Sequence, residues 1–474
     1  MGYSPLLPIT WNVILDEARW LSAIGILAHL SLASSFLGTI LIAVVAEFLY
    51  LTRHDKDWYD KARMFSVVST IFFGVGAAFG TLVEFGLVTI WSNFITIIGS
   101  AIVLPFYLEL FAFLTEVILL PLYVFTWGKV RNGWVHWVIG LAAAFGGYWS
   151  AYNILAVMAS LSMRPPGMIV QNLAASNQTI AGLTSYLVTW AKPTDAWNMF
   201  WWGANVFIFH GILAAAILTW SVVSAIYLYG YMHEHRPDQA KVLKVLIPGV
   251  AIMTAIEGFV LGHDQGELVL QFDPLKLAAI EGMFWKGLKV DPLLSFLAYG
   301  TFNHTFWGYY SWPANVRPPL APFDFLPIFY LGFMVTLGVL LGVWSGGLSL
   351  WYLFNGFFSR FHWAKVIASF LERTGPYTMP LFAALASIGG AVTSESGRVP
   401  FILVESSPSL NGGPPMVTGV PIYEGGLINP NLSLPGWLIA LIIVVEVAMP
   451  ALAVYMVYLY TRPRREKPTQ VVEY

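Results

Sequence analysis

The chain has 474 residues, of which 57% are hydrophobic and only 11% charged, and its formal net charge is −2. Such usage lies outside soluble globular norms and specifies a polytopic membrane protein, with no electrostatic basis for binding nucleic acid. Cysteine is absent, which excludes thiolate-ligated iron–sulfur clusters, disulfides and thiolate chemistry, and leaves any redox cofactor to His, Met or carboxylate ligands.

The N-terminal stretch MGYSPLLPITWNVILDEARW has no basic segment ahead of an apolar run. No cleaved signal peptide is expected, and the first span serves as its own insertion signal. Runs long enough to cross lipid fall at residues 20–51, 64–92, 95–126, 134–162, 200–232, 241–262, 325–355, 374–396 and 436–461. This predicts an all-α bundle of nine transmembrane helices forming one domain over residues 1–474, several of them long enough to tilt or protrude. No internal repeat is visible. With the N-terminus outside, sixteen of the 24 Lys and Arg fall in inner segments, including Arg53, Lys56, Lys129, Arg131, Arg236, Lys241, Arg360 and Arg462. The positive-inside rule therefore predicts N-terminus out and C-terminus cytoplasmic. The outer segments 163–199, 263–324 and 397–435 are long and rich in Pro, Gly, Asn and Trp. Loops of that length are usually functional or disordered, and their aromatic content favours packing onto the outer face. Within the middle one, DPLKLAAIEGMFW reads as a short helix.

Ionisable residues inside a membrane are functional suspects by default. Here they are His29, Glu84, Glu109, Glu116, His210, Glu257 and Glu395, joined by the soft ligand Met334. His29 lies about nine residues, roughly 13 Å, from the outer end of its span, and His210 and Met334 lie at similar depths. Glu84 and Glu395 are near the outer ends of spans that run outward. Five candidate ligands on five helices thus share the outer half of the bilayer, which points to a cofactor cluster there. Glu109 and Glu116, seven residues apart, share one helix face. They read either as packed, hydrogen-bonded carboxylates or as a relay drawing protons from inside, with the relay slightly favoured. Met in an apolar helix is usually filler, but at equal depth with His210 it suits the His/Met axial pair of a six-coordinate electron-transfer haem. His136, between Trp134 and Trp137, reads as an interfacial residue rather than a ligand.

These residues resemble a known family, the large haem-bearing subunit of cytochrome bd-type quinol oxidases, from about Arg19 to Phe401. The most specific match is LKLAAIE, Leu275 to Glu281, following GHDQGE. Arg19 ten residues before His29, GTLVEFGLVTIW around Glu84, FLTEVILLPLYVFTW around Glu116, SAYNILAVMASLSMRPPG and ESGRVPF extend it. Departures mark a divergent member: Gly332, Val399, Phe401 and Ala391 stand where the family has Arg, Gln, Trp and Trp, and Glu109 is displaced by one position from the upstream glutamate of its helix.

The resemblance implies two b-type haems and a third, oxygen-reactive haem of d or b type. His210 and Met334 would ligate one haem b, His29 and Glu395 would ligate the oxygen-site haems, and Arg398 would neutralise a propionate. Quinol would bind at the outer loop 263–324 near Lys276 and Glu281. Protons would rise past Glu116 and Glu109, so that reduction of O2 to water builds a proton motive force without pumping. The implied partners are a second polytopic subunit, possible alongside a small single-span one, and the implied location is the cell membrane. Two other readings remain open: a haem b paralogue that does not reduce oxygen, and a secondary transporter using the buried carboxylates.

Overall fold

The structure, a computed structural model, describes residues 13–173, 186–234, 237–318, 326–422 and 435–461, with side chains described from Leu21 onward and not for residues 234 and 237. Wherever the apolar runs lie, the chain is helical, because in lipid each backbone N–H and C=O must be paired within its own segment. Helices α1 (Val13–Arg53), α2 (Lys56–Ile90), α3 (Ser92–Phe125) and α4 (Gly133–Ser162) come first. Asp55 caps α2 by accepting from the Asp57 N–H, and Asn132 caps α4 by accepting from the Trp134 N–H. A hairpin of β1 (Met168–Asn172) and β2 (Tyr186–Trp190) then leads to α5 (Trp202–Glu234). Next, α6 (Pro237–Ile256) continues through a π-helical turn, Glu257–Leu261, into α7 (Gly262–Phe272). Short helices α8 (Pro274–Ile280) and α9 (Pro292–Tyr299) and a hairpin of β3 (Leu288–Val290) with β4 (Thr305–Trp307) follow. A second π-helical stretch, Ile328–Leu337, opens α10 (Gly338–Leu353), and α11 (Asn355–Phe358) precedes α12 (His362–Gly397). The hairpin of β5 (Phe401–Ser407) and β6 (Met416–Pro421) and the last helix, α13 (Gly436–Thr461), complete the order.

Eight of the described helical segments are long and apolar enough to cross a membrane. α12, with 36 residues, packs in the same bundle against α5, α10 and the π-helical stretch before α10. Helices approach closely where one presents a small residue to a bulky one, as in membrane bundles generally. A Cβ on Gly147 would lie 2.6 Å from the Phe36 ring, and one on Gly375 2.8 Å from a Leu228 methyl. Large apolar side chains away from the cavity described below, such as Phe111, Phe125 and Phe145, are left exposed, where lipid is the natural solvent.

Helix boundaries differ from the sequence reading at several places, most of all at α12, which starts at His362 and not at 374; two others show the physical reason. The sixth predicted span ends at 262, yet the helix runs on to Phe272. GHDQGE is therefore helical, and the stop comes at Asp273, whose carboxylate caps α8 by accepting from the Lys276 N–H at 2.9 Å. The second helix starts at Lys56, eight residues before its apolar run. In both cases the helix outlasts the hydrophobic layer and carries polar residues beyond it.

The described parts of the three long connections pack over one end of the bundle as a cap. Phe94, Ile97 and Ile98 at the start of α3 share a core with Met168, Val188, Ile402, Leu403 and Val420 of two hairpins. A second core joins Leu275–Ile280, Phe306, Tyr309 and Trp312 to Val404 and Val417. The aromatic residues of these segments do pack down, as their composition predicts. Arg164 ties the layers, its N–H donating to the Val404 carbonyl at 2.9 Å and its guanidinium pairing with Glu405. At the opposite end Lys241 bridges Asp55 and Asp57 at 2.9 and 2.8 Å. The Lys241 pairs are open to solvent and screened by it, so they add little to stability.

Candidate cofactor site

Beneath the cap lies a cavity of about 3030 Å³, several times the roughly 300–1,000 Å³ of a small-ligand pocket. Its wall is overwhelmingly apolar, and it carries His29, Glu84, Glu109, Glu116, His210, Met334, Glu395 and Arg398, together with Glu257, Glu281 and Glu446. The sequence reading thus names all of these wall residues except Glu446, and eight different helical segments bring the ten together. Arg19 falls on α1, but its side chain lies outside the described residues.

Each candidate ligand has a local reason for its placement. His29 presents its Cε1 edge to α2 at Gly80, where a Cβ would come within 2.8 Å; its ring is hydrogen-bonded to the Gly76 backbone and Nδ1 has no partner. His210 Nδ1 faces Glu257 Oε1 at 3.0 Å without hydrogen-bond alignment, so the imidazole and the carboxylate lie side by side on the wall. Both Glu257 and Met334 sit in π-helical turns, a distortion frequent at functional sites. The Met334 turn is admitted by paired glycines of α12: a Cβ on Gly389 would lie 2.9 Å from the Met334 nitrogen, and one on Gly390 3.4 Å from its sulfur. Glu395 pairs with Arg398 one turn later, leaving Glu395 Oε1 and Arg398 Nη1 unpartnered.

Glu116 is buried, whereas Glu109 accepts a hydrogen bond from Ser150 Oγ at 2.7 Å; one oxygen of each has no partner. Glu84 stands exposed at the rim. Lys276 and Glu281 do not meet. Glu281 reaches the wall and bonds to Tyr330. Lys276 turns away, its ammonium donating to the Ser394 carbonyl at 3.2 Å beside Gly397. Burial pushes the Lys276 ammonium down and the Asp273 carboxyl up, and burial raises Glu281 to about 7.

Two residues escape the sequence reading. Glu446 on α13 is nine-tenths buried, wedged against Gly25, with Oε2 unpartnered. Glu47 on α1 is 2% exposed and meets His136 Nδ1 at 2.6 Å. His136 is therefore a buried partner of a carboxylate, not an interfacial residue. An acidic residue inside each predicted apolar run is the signal that would have found both.

Among the described residues, no three His, Cys, Asp or Glu gather to hold a bare metal ion. Donors arrive singly from separate helices, around an apolar void too large for one ion. That suits a macrocycle whose own nitrogens complete the iron sphere, with imidazole, thioether and carboxylate as axial groups. Unpartnered polar atoms on His29, Glu395 and Arg398 are where iron and propionates would be met. The residues fit haem.

Fold and site together define a multi-pass membrane protein of the redox-cofactor class. Residues 17–468 match the sequence profile of cytochrome bd terminal oxidase subunit I, and the chain belongs to that family. It is a multi-pass protein of the cell membrane and a respiratory oxidoreductase subunit. Cytochrome bd ubiquinol oxidase subunit 1 of Bacillus subtilis (strain 168) is 23% identical over 431 residues, 83% of this chain and 84% of the relative. Cytochrome bd-II ubiquinol oxidase subunit 1 of Escherichia coli (strain K12) is 27% identical over 274 residues, 57% of this chain and 50% of that protein. The structure of bd oxidase from Geobacillus thermodenitrificans aligns with a TM-score of 0.74 at 21% identity, over 94% of this chain and 98% of that one. That likeness is one of fold.

Proposed function

We propose that this chain is the haem-bearing subunit of a quinol oxidase with nine transmembrane helices, N-terminus outside, that oxidises quinol at the capped outer face and reduces O2 to water. The observation that carries it is one apolar cavity with His29, His210, Met334 and Glu395 on its wall. Two b-type haems and a third of d or b type, when bound, supply one-electron transfer and an open position for O2. His210 and Met334 hold one of them, with Glu257 fixing the imidazole as an outer carboxylate does in other metal sites. His29 and Glu395 hold the oxygen-side groups, and Arg398 balances a propionate. A second polytopic subunit, with or without a small single-span one, completes the complex.

Glu281, on the cavity wall, takes the quinol proton, whereas Lys276 serves the site by fixing the Ser394–Arg398 turn from behind. The Glu116 and Glu109 carboxylates carry protons in from the inner side. Since quinol releases its protons outside, turnover separates charge without a pump.

Quinol-driven oxygen uptake by the purified complex, read with a reduced-minus-oxidised spectrum with and without carbon monoxide, tests this reading. Uptake together with a carbon-monoxide-sensitive band is expected. A complex with haem bands but no uptake would sink it in favour of an electron-transfer paralogue, and a colourless protein would point to a transporter.

Two further outcomes follow. Glu281 accepts a proton only when ionised, so quinol oxidation should fall as pH drops through about 7, and Glu281→Gln should flatten that step in kcat/KM. Gly80→Ala places a methyl 2.8 Å from His29 Cε1, so the ring must shift. A cost of about 1–3 kcal/mol in stability and a displaced oxygen-site spectrum are expected, the former read by thermal unfolding.

A further inference from the structure

The bundle holds a second buried titratable cluster, remote from the cavity. Glu47 of α1, Tyr123 of α3 and His136 of α4 are 2%, 0% and 4% exposed. Tyr123 O–H donates to Glu47 Oε2 at 2.7 Å, and Glu47 Oε1 meets His136 Nδ1 at 2.6 Å. His136 Nε2 lies 3.0 Å from the Tyr123 carbonyl. A carbonyl only accepts, so Nε2 carries a hydrogen. The Nδ1–Oε1 contact then holds one proton, whether as imidazolium with carboxylate or as imidazole with carboxylic acid. Nearby polar groups are already engaged: Ser66 Oγ accepts from Trp127 Nε1 at 2.9 Å, and the Val44 carbonyl from Trp137 Nε1 at 3.1 Å. The carboxylate is thus held by a phenol and an imidazole, not by Lys or Arg.

Its place on α3 gives the cluster a direction. Tyr123 is seven residues beyond Glu116, which is seven beyond Glu109, so all three share one helix face at steps of about 10 Å. That face meets α4, where Ser150 bonds Glu109, Gly146 faces Glu116 and Gly140 faces the Tyr123 ring. Small residues on α4 let these side chains pack closely against that helix. Unpartnered Glu116 Oε1 and Glu109 Oε2 on the same stripe mark polar spots where water would be held. An apolar trio would tie three helices at lower desolvation cost, so the polar choice calls for a reason.

We propose that Glu47, Tyr123 and His136 form the inner proton-loading station of the α3–α4 path to Glu116 and Glu109. The proposal rests on the oxidase reading above. A proton from the inner side enters the Glu47–His136 pair. Another leaves by way of the Tyr123 hydroxyl and water to Glu116, and no electron moves in the step.

The test uses the intact complex in proteoliposomes, comparing wild type with Glu47→Gln and Tyr123→Phe. Anaerobic haem reduction by quinol should be unchanged in both. In Glu47→Gln, steady-state oxygen uptake and membrane-potential generation should fall about tenfold or more, with a larger slowing in D2O, as expected on losing a proton-transfer group. Tyr123→Phe, which removes one hydroxyl, should show the same isotope signature more weakly and covers the case that Glu47→Gln fails to assemble. A structural tie alone would lower thermal stability and leave the isotope effect at the wild-type value in both variants, which overturns the proposal. Wild type without quinol-driven uptake would overturn the oxidase reading itself, before any variant is compared.

Discussion

On the oxidase reading, His210→Ala is expected to remove the low-spin b-type band from the reduced-minus-oxidised spectrum and to leave the carbon-monoxide-sensitive band in place. The reason is geometric. His210 reaches the cavity wall from α5, and Met334 reaches it from a π-helical turn packed on Gly389 and Gly390 of α12, while His29 stands on α1, a separate element. Losing one axial donor therefore disables one iron position without dismantling the others. Met334→Leu is the sharper version, since it keeps volume and apolarity, costs under about 1.5 kcal/mol in packing, and deletes only the sulfur. Glu257→Gln leaves both donors and loosens the imidazole, so it should weaken retention of that haem about 10–100-fold. Spectra of the three variants, taken with haem content by pyridine haemochrome, check the assignment. Retention of the low-spin band in both His210→Ala and Met334→Leu would refute it.

Glu395→Ala is expected to give the mirror image: the carbon-monoxide-sensitive band is lost and the low-spin band stays. Here the proposed ligand and the counter-charge of Arg398 disappear together. The Arg398 side chain is 9% exposed and pairs with Glu395, so the substitution strands a nearly buried guanidinium. Breaking a fully buried pair costs about 3–5 kcal/mol. Glu395 is itself 35% exposed to the cavity, so solvent screening brings the cost below that range. Oxygen uptake should become undetectable, while anaerobic reduction of the remaining haem by quinol persists. Glu395→Gln separates the contributions: it retains a hydrogen-bond acceptor for Arg398 and recovers stability, but not the anionic ligand. Uptake at the wild-type rate in Glu395→Gln would refute the ligand role.

Most of the architecture was legible because the bilayer reduces the choices: an apolar run of sufficient length must be a helix. Helix ends were less legible. Hydropathy reports where the chain leaves lipid, whereas α7 ends where Asp273 caps the next helix, a local hydrogen bond that hydropathy does not sense. Depth counting placed His29, His210, Met334 and Glu395 in one stratum, since rise per residue is fixed along a helix. It could not tell which way Lys276 points, because that depends on α12 lying behind α8. Glu47 and His136 show the same limit. They are far apart in sequence, each looks bland alone, and only the packing of α1 against α4 makes them a pair.

The cap over the cavity has a consequence for biogenesis. Its cores join Phe94 to Ile402 and Leu277 to Val417, residues whose contacts form only after almost the whole chain has been synthesised. Contacts of such wide sequence separation form late, because the loop entropy must be met before they contribute. The pocket stays open on its capped side until the β5–β6 hairpin arrives. A nascent chain halted before Phe401 would therefore leave the cavity wall uncovered, and a prosthetic group would have its widest entrance during that interval.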